Sequence, residues 1–157
     1  MDEYQIISFR MMNDLISSAK RSPRLRRNYN FHEPEDMIQR FLNAMTPGTY
    51  VRPHRHNAPP TTETFIVLRG RVAAVFFDDF GNITGYQDLG ERCEGKGIDL
   101  KPGVWHSVIC LDEAILFEVK QGPYRPETSK EFAEWAPPEG DARANDYLRY
   151  LIEKIGG

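Results

Sequence analysis

Glycine is absent from residues 1–47, whereas eight of the twelve glycines fall between Gly48 and Gly103. Glycine and proline punctuate a chain into turns, so the middle of this sequence must be built from short segments. Those segments are rich in Val, Ile, Phe and Tyr, and the spacing predicts strands over 38–45, 49–56, 63–68, 71–78, 83–88, 97–100, 105–110 and 114–120. Strands in close succession with no helices between them pack as an antiparallel sandwich or small barrel. No repeat, low-complexity tract or Ser/Gly linker interrupts the 157 residues, which read as one domain. Within it, 1–33 form an N-terminal helix and arm, 34–123 the β-barrel, and 124–157 a C-terminal extension with a helix.

The glycine-free start carries Phe9, Met12, Leu15, Ile16 and Ala19 at helical spacing behind Ser8, a capping residue, and ahead of Pro23. Near the other end Ala144, Tyr147, Leu148, Leu151, Ile152 and Ile155 share one helical face, which packs on the barrel or on a second subunit. Charge narrows the partners. Twenty Lys and Arg against 23 Asp and Glu leave a net −3, which argues against nucleic-acid and membrane-surface binding. The run Lys20 to Arg27 is a local basic feature, either a solvated helix end or a site for a nucleotide-sugar diphosphate. The longest apolar run, Val72 to Phe77, is too short for a membrane span, and MDEYQIISFR has acids where a signal peptide needs bases. A cytoplasmic location is the expectation. Two cysteines, Cys93 and Cys110, make neither a disulfide framework nor a CxxC zinc site.

The four histidines are more informative than their number. His54 and His56 are two apart, so on a strand both point to one face. Glu63 opens the next predicted strand and a hairpin can return it beside them. His106 follows Lys101-Pro-Gly-Val-Trp at the start of a later strand. Three imidazoles and a carboxylate converging in a barrel suit a divalent first-row metal, with Fe, Mn, Ni, Co and Zn all compatible.

These residues resemble the two motifs of the cupin superfamily. Gly48, His54-Arg-His56, Glu63 and Gly70 are similar to the first, and Lys101-Pro-Gly103-Val-Trp-His106 to the second. The arm Arg24–His32, Tyr50-Val-Arg52, Phe117–Tyr124 and Phe132–Pro137 extend the likeness to WbuC-type cupin-fold metalloproteins, found in O-antigen and other surface-polysaccharide gene clusters. The resemblance implies a mainly β double-stranded β-helix, or jelly-roll barrel, with one metal in its mouth. It implies no particular reaction. Six residues separate His56 from Glu63 where three or four are usual, and Cys110 stands where the second motif often ends in Asn. The Glu63-to-Gly70 spacing is unchanged, which favours Glu63 as the fourth ligand beside His54, His56 and His106.

Around the motif, Tyr50 and Arg52 share strand parity with the histidines and are expected to face the same cavity. Arg52 is then a candidate to hold a carboxylate or phosphate and Tyr50 to move a proton; the alternative is a hydrogen-bonded rim pair. Glu118 lies on the face opposite Ile115, Phe117 and Val119. It is a general base raised by burial or, as the plainer expectation, an exposed or arginine-paired strand residue. Cys110 has the parity of His106 and reads as a small buried residue, and His32 as part of the arm.

The leading functional expectation is a metal-dependent cupin that binds or transforms a small polar substrate, a sugar or sugar-nucleotide of surface-polysaccharide synthesis, with isomerisation or epimerisation following if Tyr50 or Glu118 moves a proton. The alternatives are an Fe(II) dioxygenase with the same ligands and a non-catalytic metal-containing binding module. Apolar faces on both terminal helices make a homodimer the expected assembly.

Overall fold

The computed structural model describes residues 2–156. Helix α1 (Phe9–Arg21) begins where Ser8 Oγ accepts from the Met11 amide at 3.1 Å and ends before Pro23, with Lys20 and Arg21 in its last turn. It is followed by β1 (Arg26–Asn30), β2 (Ile38–Met45), β3 (His54–Arg55), β4 (Glu63–Phe77), β5 (Ile83–Gly90), β6 (Gly97–Leu100), β7 (Trp105–Gln121), β8 (Glu131–Phe132) and α2 (Ala144–Lys154). The strands hydrogen-bond in the order β1-β2-β7-β3-β8, and β4 pairs with β5, β6 and β7. Every named pairing is antiparallel.

Three differences from the expected segments have physical causes. Segments 63–68 and 71–78 are one strand, β4, and 105–110 and 114–120 are one strand, β7. Gly70 does not end β4 but bends it: its φ is +77°, and the β4–β7 register shifts on either side of it. A Cβ there would lie 2.0 Å from the Glu113 carbonyl oxygen, so only glycine lets the two strands pass so closely. The expected strand 49–56 shrinks to His54–Arg55, because Pro53 lacks a donor and residues 49–53 leave the ladder.

The bend decides the site. Glu63 registers with Lys120 at one end of the β4–β7 ribbon, while His106 registers with Phe76 at the other. A flat ribbon would hold Glu63 and His106 roughly 40 Å apart. Their side chains are instead 3.9 Å apart, Nε2 to Oε2, so the ribbon curls back on itself.

Both faces of the curled sheet are covered. Leu42, Ala44 and Ile115 pack beneath Leu15, Ile16 and Ala19 of α1. The opposite face of β2 and β7, with Met45, Ala114 and Leu116, joins Phe65 and Val67 of β4 to line the inside. A third cluster joins Ala73, Val75, Phe77, Trp105 and Ile109 to Leu148, Leu151 and Ile155, so α2 packs on the barrel in this chain. The basic run is largely engaged by acids: Lys20 pairs with Glu113, while Arg24 and Arg26 both clasp Glu139. Among the described residues no helix is long and apolar enough to cross a membrane.

Candidate metal centre

Strand β3 lies directly between β7 and β8, and its His54 registers with His106. The two rings sit 4.4 Å apart, centroid to centroid. His56 follows at the end of β3, with its ring 5.2 Å from His54 and 5.6 Å from His106. Glu63, the first residue of β4, enters from the curled end of the ribbon. All four side chains are buried, and one ligand atom from each lies within 4.8 Å of every other. The cluster can hold a metal ion.

The histidines are already oriented for that. In each, Nδ1 meets a backbone carbonyl: Arg52 at 2.9 Å for His54, Ser129 at 2.7 Å for His56 and Val104 at 2.8 Å for His106. A carbonyl only accepts, so Nδ1 must carry the proton, and in the neutral ring Nε2 is left with a lone pair. Carbonyl acceptors behind metal-binding histidines fix the tautomer in this way. Burial, reinforced by neighbouring positive groups, holds His54 well below the usual imidazole range, and burial likewise lowers His106. Both stay neutral, as ligation requires.

The contact between His56 and Glu63 tests the fit. Nε2 and Oε2 approach to 2.6 Å, an ion-pair distance, yet both atoms are buried without a hydrogen bond of acceptable geometry. Proximity alone does not make this a bond. With Nδ1 donating to Ser129, two lone-pair atoms face each other, and that pairing is stable only if a cation lies between or beside them. Three imidazole nitrogens and one carboxylate are a suitable donor set for a first-row divalent ion.

Behind Glu63 stands Glu118, and here the plainer expectation fails. Glu118 is buried, not exposed, because α1 covers the Ile115 and Phe117 face while the Glu118 face forms the barrel interior. Asn43 Nδ2 donates to Glu118 Oε2 at 2.9 Å, and the Glu63 carboxylate is its charged neighbour in the barrel interior. Burial, then the charge of Glu63, pushes Glu118 well above the usual carboxyl range. Glu118 is thus the carboxyl of the pair that keeps a proton, and Glu63 is the one that faces the histidines.

Tyr50 and Arg52 are placed differently from their parity. Regular alternation needs a regular strand, and residues 49–53 are not one. Tyr50 is buried in the cluster beneath α2, edge-on to Tyr147, and its hydroxyl donates to the Pro137 carbonyl at 2.7 Å. Burial raises its phenol, followed by the charge of Tyr147. Arg52 Nη2 donates to the Ala133 carbonyl at 2.8 Å, and its guanidinium lies 5.3 Å over the Phe132 ring. The part of Arg52 that touches the centre is its carbonyl, behind His54. Cys110 is buried, as expected, with Sγ 2.9 Å from the Asp112 carbonyl. His32 binds the backbone of Arg40 and stays in the arm. Sequence reasoning missed Asn43 and Ser129; neither carries a local signal, because each reaches the centre only through the approach of distant segments.

A family model described as Domain of unknown function (DUF6016) matches residues 7–89, more than half of the chain. No curated protein matches the sequence. Among solved structures, an uncharacterized conserved protein with a double-stranded β-helix domain from Klebsiella pneumoniae is similar at a TM-score of 0.56 and 18% identity, over 84% of this chain and 99% of that one. The capsular polysaccharide assembling protein CapF from Staphylococcus aureus is similar at 0.53 and 20% identity. That likeness covers 68% of this chain but 31% of CapF, so the chain spans about a third of that relative's length. The conserved protein SPY1581 from Streptococcus pyogenes is similar at 0.53 and 9% identity, over 80% and 93% of the two chains. These likenesses show the fold, a double-stranded β-helix, and in this chain a terminal helix stands on either side of it.

Proposed function

The chain belongs to the DUF6016 family, and we propose that it is a metal-dependent cupin acting on a small, polar, sugar-like substrate in surface-polysaccharide assembly. The observation that carries the metal part is the orientation of the three histidines. Each imidazole spends Nδ1 on a carbonyl, and His56 and His106 bring Nε2 to 2.6 and 3.9 Å from the Glu63 carboxylate. The pathway part is supported by the resemblance of the sequence motifs to WbuC-type proteins and by the shared fold with CapF, a capsular polysaccharide assembling protein.

His54, His56, Glu63 and His106 would hold the ion, which supplies Lewis acidity toward substrate oxygens. The chain's own residues do the rest. Glu118, kept protonated by burial beside the charge of Glu63, is the nearest proton store, aligned in turn by Asn43. Tyr50 has its hydroxyl committed to Pro137, which leaves Glu118 as the proton-handling group of the three candidates. The apolar interior around Phe65 and Leu116 keeps bulk water from the floor of the site.

The test is elemental analysis of untagged protein, together with ligand identification in the barrel mouth. One equivalent of a divalent transition metal is expected, lost in a His54→Ala, His106→Ala double variant along with sugar-nucleotide binding. Metal content and binding unchanged in that double variant would refute the proposal.

A further inference from the structure

Four side chains stand in one row across the sheet. Phe76 on β4 registers with His106 on β7, His106 with His54 on β3, and His54 with Phe132 on β8. Residues opposite one another in an antiparallel pair project to the same face, so two histidines of the centre lie between two phenylalanines. The rings agree with this: His54 is 4.4 Å from His106 and 6.3 Å from Phe132, centroid to centroid. The ends of the row are not equivalent. Phe76 packs against the interior cluster that holds Met45 and Phe65, and closes one side of the centre. Phe132 is 47% exposed, although His54 beside it is buried. The row opens to solvent on the β8 side.

An exposed phenylalanine means little by itself, and Phe9 and Phe80 are more exposed than this one. Phe132 differs in being held in place. The Arg52 guanidinium lies 5.3 Å over its ring and is itself tied to the Ala133 carbonyl. The Ala133 amide donates to the Pro53 carbonyl, next to His54 in the chain. On the other face of the β3–β8 pair, Arg55 clasps Glu131 and lies 4.3 Å over the Trp105 ring. These contacts fix a strand of two residues, and the ring they fix stays half bare beside the centre. A ring already held loses little freedom when an apolar ligand face covers it. The C–H face of a pyranose is such a face. Unlike a flat aromatic ligand, a pyranose also carries hydroxyl oxygens around its edge, the donors that a divalent ion accepts.

We propose that Phe132 is a substrate-binding residue, a stacking platform for the C–H face of a pyranose whose hydroxyl edge is turned toward the His54–His56–Glu63–His106 centre. This rests on the metal-dependent reading above and narrows its substrate class, from a small polar molecule to a sugar presented as a closed ring. Phe132 contributes a surface and no proton. Its place in the row makes it the one phenylalanine that is both beside a histidine of the centre and open to solvent among the described residues.

The test uses the full chain loaded with zinc, its metal content measured first, and titrations followed by saturation-transfer NMR. The probes are glucose, galactose and mannose, with sorbitol, galactitol and mannitol as their ring-less counterparts. Wild-type protein should bind at least one of the sugars, and its alditol about fivefold or more weakly. Phe132→Ala and Phe132→Leu, the second keeping apolar bulk without a flat face, should each weaken that sugar about fivefold or more. Zinc content and thermal melting should be unchanged in both, and Phe132→Trp should stay within about threefold of wild type. Phe9→Ala, which removes a more exposed ring from α1, should leave binding as it is. Normal zinc content with unaltered affinity in both Phe132→Ala and Phe132→Leu overturns this proposal alone. So does zinc-loaded wild-type protein that binds none of the sugars, or binds the alditols as tightly. Loss of zinc in both variants makes the ring a support for His54 and overturns it too. Failure of the wild type to take up any metal overturns the underlying metal reading as well.

Discussion

Replacing Gly70 by alanine probes the bend on which the whole site depends. Two costs are readable from the structure. At φ +77° an L-residue pays roughly 1–2 kcal/mol relative to glycine. The new methyl would also lie 2.0 Å from the Glu113 carbonyl oxygen and 2.8 Å from its carbon. Both are backbone atoms of the facing strand, so the β4–β7 ladder must open, at an overpacking cost of about 1–3 kcal/mol. The sum, about 2–5 kcal/mol, is a large share of the ~5–15 kcal/mol that holds a domain folded. Gly140 is the internal control, with φ +85° and nothing within 4 Å of an added Cβ, so Gly140→Ala carries the dihedral cost alone. Urea unfolding of metal-free protein should place Gly70→Ala at least about 1 kcal/mol below Gly140→Ala. Zinc affinity should fall with it, since Glu63 and His106 belong to opposite ends of the bent ribbon. Equal losses in the two variants, or a Gly70→Ala protein with undiminished zinc affinity, would show that the bend is not what assembles the centre.

Four further outcomes are expected. Saturating zinc at about a hundred times its Kd should stabilise the wild type by ~2.7 kcal/mol against urea and leave His106→Ala unmoved; an equal shift in both places the metal elsewhere. Glu139 is pushed up by burial, but Arg24 and Arg26 outweigh that and bring it down to about 2, so its folded-state pKa lies below the unfolded value. Its contribution, of order 1 kcal/mol or less at so solvent-exposed a cluster, is complete above about pH 4.5 and lost as pH falls toward 2. The gap in urea midpoint between wild type and Glu139→Gln should therefore narrow on acidification, and a gap that widens contradicts the assignment. Burial pushes the Cys110 thiol up to about 12, so native protein at pH 8 should expose one titratable thiol, Cys93, and two in urea. Tyr50→Phe should cost about 1–2 kcal/mol by orphaning the Pro137 carbonyl while leaving zinc content intact; loss of zinc would return Tyr50 to the centre.

Local chemistry in the sequence was enough for a good deal of this protein. Ser8 and Pro23 bound α1, the apolar face from Ala144 to Ile155 marks α2, and β-rich runs between glycines locate most strands, because caps, periodicity and turn residues act over a few positions. The His-x-His pair, Glu63 and His106 also stand out, since their spacing resembles a known motif, and the structure brings all four together. Parity misled wherever a regular ladder was assumed and absent. Tyr50 lost the expected face because Pro53 breaks the strand, and two pairs of expected strands proved continuous because Gly70 bends the ladder without ending it.

What only the tertiary structure decided is which side of each element is covered, and by what. Glu118 reads as a surface residue until α1 occupies the other face of β7 and the ribbon closes over this one. The carbonyls behind the histidines come from Arg52, Val104 and Ser129, and the last is more than seventy residues from its histidine in sequence. The physical reason is common to all of them. A donor set can be written into a few positions of sequence, whereas desolvation, tautomer and field are set by whatever the chain folds back to place around it.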